Sequence, residues 1–542
     1  MKSILAAILL LPLPVFALDG QIGIHDPSTV VPCEGKYYVW GTGGNPLVSD
    51  DGWTWRRGVN ALRSGAAPDV IHIGDNYFMY ISGVTMISSK SLNPESPDYK
   101  WVEGGKIAGY ENDNDFDNPI DPGAFLDPTD GRLWLTYGSY VGPIRLVELD
   151  PKTGKRVDNK FYDLAIDCEA SDMIYHDGWY YLLATHQSCC QGANSGYNIR
   201  MGRSRSIYGP YIDNMGIDML QAGGKLLITS GGRLIGPGHF GLMDLGDGVQ
   251  KFSMHWEADL DRGGASVLDI RPLLWRDGWP VAGENMKDGI YDIESARTGT
   301  SLEIAVEAVP VGGGRGGRGG GGGFGGRGGR GGARGGPGAP GAPGDTNAPA
   351  GRAAFAPPGG TNAPGGPPAF GGPAGNNAPG GPGGPGGPGG RGGRGGFGGF
   401  GGQGGVIPAQ DVAVVSTNWP TGNIDLRLAN YMCQAQQKWA ITAVTNAGGY
   451  PGSPYFKITI AGTDRALAAT EEGELVSVPS FTGGAEQLWR FDELADGTWR
   501  VMPKAVPNSK EALALSAPGS GFATLAKFNP NSDRQRWNIK AP

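Results

Sequence analysis

The sequence predicts an all-β chain: a five-bladed β-propeller, a long stretch of low complexity, and a smaller module of threefold repeat. Three observations predict it. One strand–turn–strand unit recurs five times between residues 23 and 252. A single later stretch collapses to Gly, Pro, Ala, Arg and Asn. Beyond it, three Gln-x-Trp motifs are evenly spaced.

The first copy of the unit runs from Gly23 to Thr42. It sets Asp26 beside Pro27, then an apolar run at Val30 and Val31, a Glu34-Gly35 turn, and the aromatic strand Lys36-Tyr37-Tyr38-Val39-Trp40. β-branched and aromatic residues around a tight Gly turn read as a hairpin. Asp69 stands ahead of Gly74-Asp75, Asp121 ahead of Asp130-Gly131, Glu169 ahead of Asp177-Gly178, and His239 ahead of Asp247-Gly248. The spacing from polar residue to turn is 9, 10, 9 and 9 residues, with 6 in the second copy. First strands of propeller blades line the central axis, so these positions converge on one end of it. Four carboxylates and a histidine gathered there repel one another and lose hydration, a cost that points to a chemical task. Leu302–Ala308 alternates apolar and polar residues and reads as a closing strand, so the ring is expected to span residues 18–310.

Residues 311–406 hold too little apolar side chain to offset the entropy of ordering them, and read as a disordered linker. Their eight arginines and one aspartate give about +7, against a net charge of −8 for all 542 residues, so the rest of the chain is acidic. That argues against nucleic acid as the main partner. Arg-Gly-Gly units with Phe324, Phe397 and Phe400 also fit RNA. A tether with loose affinity for acidic polysaccharide suits an exported protein better. Export is expected because Met1–Ala17 carries Lys2, an apolar run from Ile4 and a Val15-Phe16-Ala17 exit, the pattern of a secretory signal peptide. No other run reaches the roughly 18 apolar residues of a membrane span. The five cysteines, Cys33, Cys168, Cys189, Cys190 and Cys433, have no zinc-type spacing. The adjacent pair forms at most a vicinal ring; the plainer reading is buried free thiols.

Residues 407–542 contain Gln437-Lys438-Trp439, Gln487-Leu488-Trp489 and Gln535-Arg536-Trp537, spaced 50 and 48 residues apart. Each Trp supplies core while the Gln satisfies backbone groups nearby. These motifs resemble the ricin-type β-trefoil lectin family, which implies a carbohydrate ligand on this module. The bland alternative is that they build core alone.

His25-Asp26-Pro27-Ser28-Thr29, Asn118-Pro119-Ile120-Asp121-Pro122, Cys168-Glu169-Ala170-Ser171 and Gly236-Pro237-Gly238-His239 occur in one order. Ser188-Cys189-Cys190-Gln191-Gly192, Tyr197–Ser204 and Gly209-Pro210-Tyr211 accompany them. Together they resemble glycoside hydrolase family 43, its arabinanase-like branch above all. The resemblance implies a secreted inverting hydrolase of α-L-arabinofuranosyl linkages in plant cell-wall polysaccharide, with arabinan the leading substrate. It implies Asp26 as general base, Glu169 as general acid and Asp121 as modulator of the acid's pKa and orienter. It also implies a calcium or other small ion beside His239, completed by water, and no organic cofactor. Ile166, Cys168 and Ala170 suggest an apolar setting around Glu169, which suits an acid. Taken singly, Asp26 and Asp121 also read as turn formers before proline, Glu169 as a paired structural charge and His239 as a core histidine. An exo-acting arabinofuranosidase or β-xylosidase is the nearest rival, and a non-catalytic carbohydrate-binding protein the next. The chain departs from the family at Ala66-Ala67-Pro68-Asp69, where a tryptophan platform is expected; Trp53, Trp55 or Trp101 are candidate replacements.

Overall fold

Five four-stranded antiparallel sheets follow one another along the chain in a computed structural model, which describes residues 18–44, 46–61, 65–108, 119–306, 419–519 and 521–542. The signal-peptide reading of residues 1–17, Asn118 and the linker reading of 311–406 lie outside the described residues. No α-helix occurs among the described residues; strands and short 3-10 turns make up all the regular structure.

The first strands of blades 1 to 5 are Val31–Cys33, Asp69–Ile73, Gly123–Leu126, Glu169–His176 and Leu234–Asp244. In each sheet the strands pair in chain order, outward from that first strand. The hairpin turns have the chemistry the sequence promised. Both Glu34 and Gly35 have positive φ (49° and 77°), as do Asp177 and Gly178 (49° and 77°) and Asp247 and Gly248 (55° and 81°). That is the primed turn whose twist matches the flanking strands. Apolar faces of neighbouring blades then bury aromatic side chains between them, with Trp40, Trp134 and Tyr181 each no more than 1% exposed.

Blades 1 and 5 are joined by the segment leading into the first unit. Asp19–Gly20 pairs in parallel with the outermost strand of blade 1, Thr54–Arg57. Ile24 N–H then donates to Ser266 O (3.2 Å), and Leu268 N–H donates to Ile22 O (2.9 Å) in blade 5. The five-bladed expectation holds. The closing strand does not: Ser301–Ile304 pairs with Ile424–Ala429, with Leu302 opposite Leu428 and Glu303 opposite Arg427. Gly289–Ser295 likewise pairs with Trp439–Ala443 and Trp537–Lys540. Leu302 and Ile304 share a core with Trp439, Trp489 and Trp537. Their alternation was real, but the apolar face it buries belongs to the second module. Blade 5 ends at Trp279–Ala282.

The second module is threefold in its contacts. The indole N–H groups of Trp439, Trp489 and Trp537 donate to Leu302 O, Leu467 O and Leu515 O. The side-chain oxygens of Gln437, Gln487 and Gln535 accept from the N–H groups of Met432, Thr482 and Asn529, at 2.7, 2.7 and 2.9 Å. The module seats on blades 1 and 5. Gly449 N–H donates to Asp51 (2.9 Å), and Trp275 N–H donates to Ala495 O (2.8 Å). Lys251, 1% exposed, donates to Pro451 O (2.5 Å). Residues 307–418 thus fall between two paired strands of the second module, where the sequence reading set the boundary between the ring and that module.

Candidate active site

Five residues without the freedom of glycine stand in the left-handed region where the chain enters the blades: Asp26 (φ 49°), Ala67 (40°), Asp121 (52°), Ala170 (50°) and His239 (58°). Each such residue costs on the order of 1–2 kcal/mol. In blades 4 and 5 the register slips across this position, between Glu169 and Asp172 and between Gly238 and Gly241. A bulge of this kind turns a side chain out of the ladder and toward a site. It also corrects the sequence register. Blade 4 places Ala170, not Glu169, in the left-handed position, and blade 2 places Ala67 there, two residues before Asp69.

Asp69 accordingly does other work. Its buried carboxylate accepts Thr29 N–H (3.0 Å) and Ala124 N–H (2.8 Å), tying blades 1 and 3 to blade 2. The axis acid read from sequence is here an inter-blade clamp.

Asp26 is wrapped in donors. His25 Nδ1 lies 2.8 Å from Oδ2, His239 Nδ1 lies 3.2 Å from Oδ1, and Thr42 Oγ1 donates to Oδ2 at 2.5 Å. Its backbone N–H donates to His255 Nδ1 (2.9 Å). Burial alone pushes its pKa up, but His239, His25 and His255 together hold the carboxyl well below the usual range. His25 shows the converse. Burial pulls it down, yet hydrogen bonds to Asp26 and Glu257 lift it from 6.5 to about 10. Burial lowers His239 to about 4 against the pull of Asp26.

Glu257 is the second anchor of this cluster. Its Oε1 accepts from His25 Nε2 (3.2 Å) and from Cys190 N–H (3.0 Å), and lies 3.7 Å from His255 Nε2. His255 stacks on His25 with ring centres 4.6 Å apart. Sequence reading missed both residues. Their signal was available: His255 and Glu257 are two apart on one strand, so they share a face, and both are polar within a buried run.

Glu169 and Asp121 stand together. Glu169, 9% exposed, accepts from Ser139 Oγ (2.7 Å) at one oxygen and from the Tyr197 hydroxyl at the other. Two hydroxyls thus replace the apolar setting expected around it, and Ile166 is exposed. Asp121 accepts the backbone N–H of Ala170; burial, then the charges of Glu169 and Asp26, drive its carboxyl well above the ordinary value. The charges of Asp26 and Glu169 thus both reach Asp121, and His239 borders Asp26. The glycines of Gly236-Pro237-Gly238 make room for this. A Cβ on Gly238 would lie 2.7 Å from the Tyr197 ring, and one on Gly236 would lie 2.9 Å from Glu257 Cβ.

Two further expectations change. Trp53 and Trp55 are 1% exposed in the core, so neither replaces the expected platform, and Trp101, half-buried, packs edge-on against Trp40. Cys189 and Cys190 are not buried thiols: they form a disulfide at the rim, half-buried and exposed. Cys33 and Cys168 are buried free thiols as expected, whereas Cys433 is exposed.

The chemistry of the site is that of carboxyls in unequal surroundings, Asp26 drawn below the usual range and Asp121 driven above it, a division of the kind acid–base hydrolysis uses. Residues 37–280 match the profile of the glycosyl hydrolases family 43. An extracellular endo-alpha-(1->5)-L-arabinanase of Bacillus subtilis is 30% identical over 293 residues, 47% of this chain and 87% of that protein. An extracellular exo-alpha-(1->5)-L-arabinofuranosidase of Cellvibrio japonicus is 30% identical over 314 residues, 49% of this chain and 88% of that protein. Among solved structures, an exo-1,5-alpha-L-arabinanase from a bovine ruminal metagenomic library is 31% identical, with a TM-score of 0.45, covering 50% of this chain and 100% of that one. On the extent of these sequence matches the chain belongs to glycosyl hydrolase family 43 and is a glycoside hydrolase.

Proposed function

We propose that the ring hydrolyses α-L-arabinofuranosyl linkages of plant arabinan by single displacement with inversion. Asp26 is the general base that takes a proton from the attacking water. Glu169 is the general acid that protonates the leaving oxygen, and Asp121 sets its charge and orientation. The observation that carries the reading is the opposed pull on two carboxyls: His25, kept charged by its bonds to Asp26 and Glu257, draws Asp26 toward its ionised form, while burial and then the charges of Glu169 and Asp26 drive Asp121 upward. Thr42 and His25 fix the orientation of the base. Tyr197 and Ser139 hold the carboxyl of Glu169, and proton release to substrate exchanges these contacts for the leaving oxygen.

His239 is the residue that would hold a central calcium or similar small ion. Its Nε2 is buried and lacks a hydrogen-bond partner among the described residues, which fits a single protein ligand in a shell otherwise of water. Such an ion would supply a fixed positive charge beside Asp26. The second module is read as a ricin-type β-trefoil that binds carbohydrate, supported by its threefold Gln and Trp contacts. Export is supported by the extracellular designation of both relatives and by Met1–Ala17. No helix among the described residues is long and apolar enough to cross a membrane.

The test is hydrolysis of linear arabinan, branched arabinan and xylan, with Asp26→Ala and Glu169→Gln as controls. Loss of about 10²–10⁴-fold in each variant is expected for removal of a proton-transfer group. Wild-type turnover equal to that of either variant sinks the assignment. Endo and exo relatives match equally well in identity, so product length decides between them: mixed oligosaccharides mean endo cleavage, and a single short product from the first minutes means exo.

A further inference from the structure

We propose that opening the Cys189–Cys190 disulfide creates a site for a thiophilic divalent cation such as Zn²⁺ or Cd²⁺, held by both cysteine sulfurs, His25 and Glu257, and that its occupancy shuts the carboxylate cleft. One ligand atom from each of the four residues already lies within 4.8 Å of all the others. Two sulfurs, an imidazole nitrogen and a carboxylate oxygen are a tetrahedral zinc set. The four come from three separated segments of the ring, so the fold itself and not a local turn gathers them.

The site is gated by redox state. While the disulfide is closed its sulfurs are neutral and bind cations poorly. A dithiol reductant such as dithiothreitol breaks the S–S bond by supplying two electrons and two protons. Two thiols form, and the reductant becomes a cyclic disulfide. The cation then displaces the two thiol protons and the Nε2 proton of His25 to solvent, and charge on the two thiolates compensates its own.

His25 couples the site to the cleft. Its Nε2 faces Glu257 at 3.2 Å while Nδ1 lies 2.8 Å from Asp26. A cation on Nε2 leaves Nδ1–H on Asp26, so Asp26 becomes the outer partner of a metal-bound imidazole. The imidazole that orients Asp26 is then placed by the cation and not by Glu257, and the base is pulled out of line with it. The backbone N–H of Cys190 on Glu257 keeps the rim loop against this cluster in the closed state.

The test uses the full chain carrying Cys433→Ser, since Cys433 is the exposed free thiol among the described residues. The protein is reduced with dithiothreitol, desalted without air and titrated with Cd²⁺. Thiolate-to-cadmium charge-transfer absorbance should rise to one ion per chain. The unreduced protein serves as its own folded control and should give none, as should the reduced Cys189→Ala/Cys190→Ala variant. No absorbance on reduction, or equal absorbance in that variant, overturns the site. The second arm rests on the proposed hydrolysis: Zn²⁺ should suppress turnover of the reduced protein at least tenfold, reversibly with chelator, and leave the oxidised protein unchanged. Cadmium absorbance with undiminished turnover overturns the coupling through His25. Absent turnover in metal-free oxidised protein tells instead against the hydrolase reading, which the absorbance arm does not share.

Discussion

Replacing Glu257 by Gln removes one charge from the His25–Asp26 cluster while keeping its shape. The rise of His25 from 6.5 to about 10 corresponds to roughly 5 kcal/mol of preference for the charged ring. Asp26 is the larger of its two partners and the ring is partly solvated, so the share lost with Glu257 is about 1–2 kcal/mol. The sign follows from linkage. His25 binds its proton more tightly folded than unfolded, so its contribution is fully present below pH 6.5 and fades as pH rises through about 10. Glu257→Gln should therefore lower the urea midpoint clearly at pH 6, with an unchanged slope, and much less near pH 10. In parallel, Asp26 loses part of the cationic support that keeps it ionised, and turnover should fall with a shifted pH profile. An equal midpoint change at both pH values would refute the charge argument and leave only a packing effect.

Two other substitutions separate function from stability. Asp121→Asn should abolish most turnover yet stabilise the protein at pH 8 relative to pH 4. A buried carboxyl whose folded pKa is raised costs stability as pH climbs above its unfolded value near 3.8; the difference in thermal midpoints between the two pH values checks it, and a midpoint lower than wild type at pH 8 counts against it. Replacing residues 307–418 with about ten Gly/Ser residues should raise stability by roughly 2 kcal/mol, because the closed loop between paired strands shortens about tenfold. Denaturant unfolding reads it directly, and a loss of stability would mean that those residues contribute contacts of their own.

How much of this was legible in the sequence differs by kind of signal. The five repeats were readable because Glu34-Gly35, Asp177-Gly178 and Asp247-Gly248 announce primed turns, and aromatic strands follow each of them. Spacing to those turns located Asp26, Asp121 and His239, whose backbone positions match. It differed by one residue at Glu169, where blade 4 carries a bulge, and by two at Asp69, in the copy whose spacing of 6 residues already departs from the others. The consequence for Asp69 is physical: two positions past the left-handed residue its carboxylate faces the neighbouring blades, and there it meets two backbone N–H groups and not the other acids. Glu257 and His255 escaped because they sit on a second strand, where the repeat assigns no role, and only the alternation of that strand points them inward. The closing strand failed for a different reason. Alternation in Leu302–Ile304 says that one face is buried but not against what, and its partner, Ile424–Ala429, lies on the far side of about 120 intervening residues. Long-range pairing across an insertion leaves no local trace. A chain with a conspicuous low-complexity stretch therefore invites a boundary at that stretch, even where, as here, the stretch interrupts a single sheet.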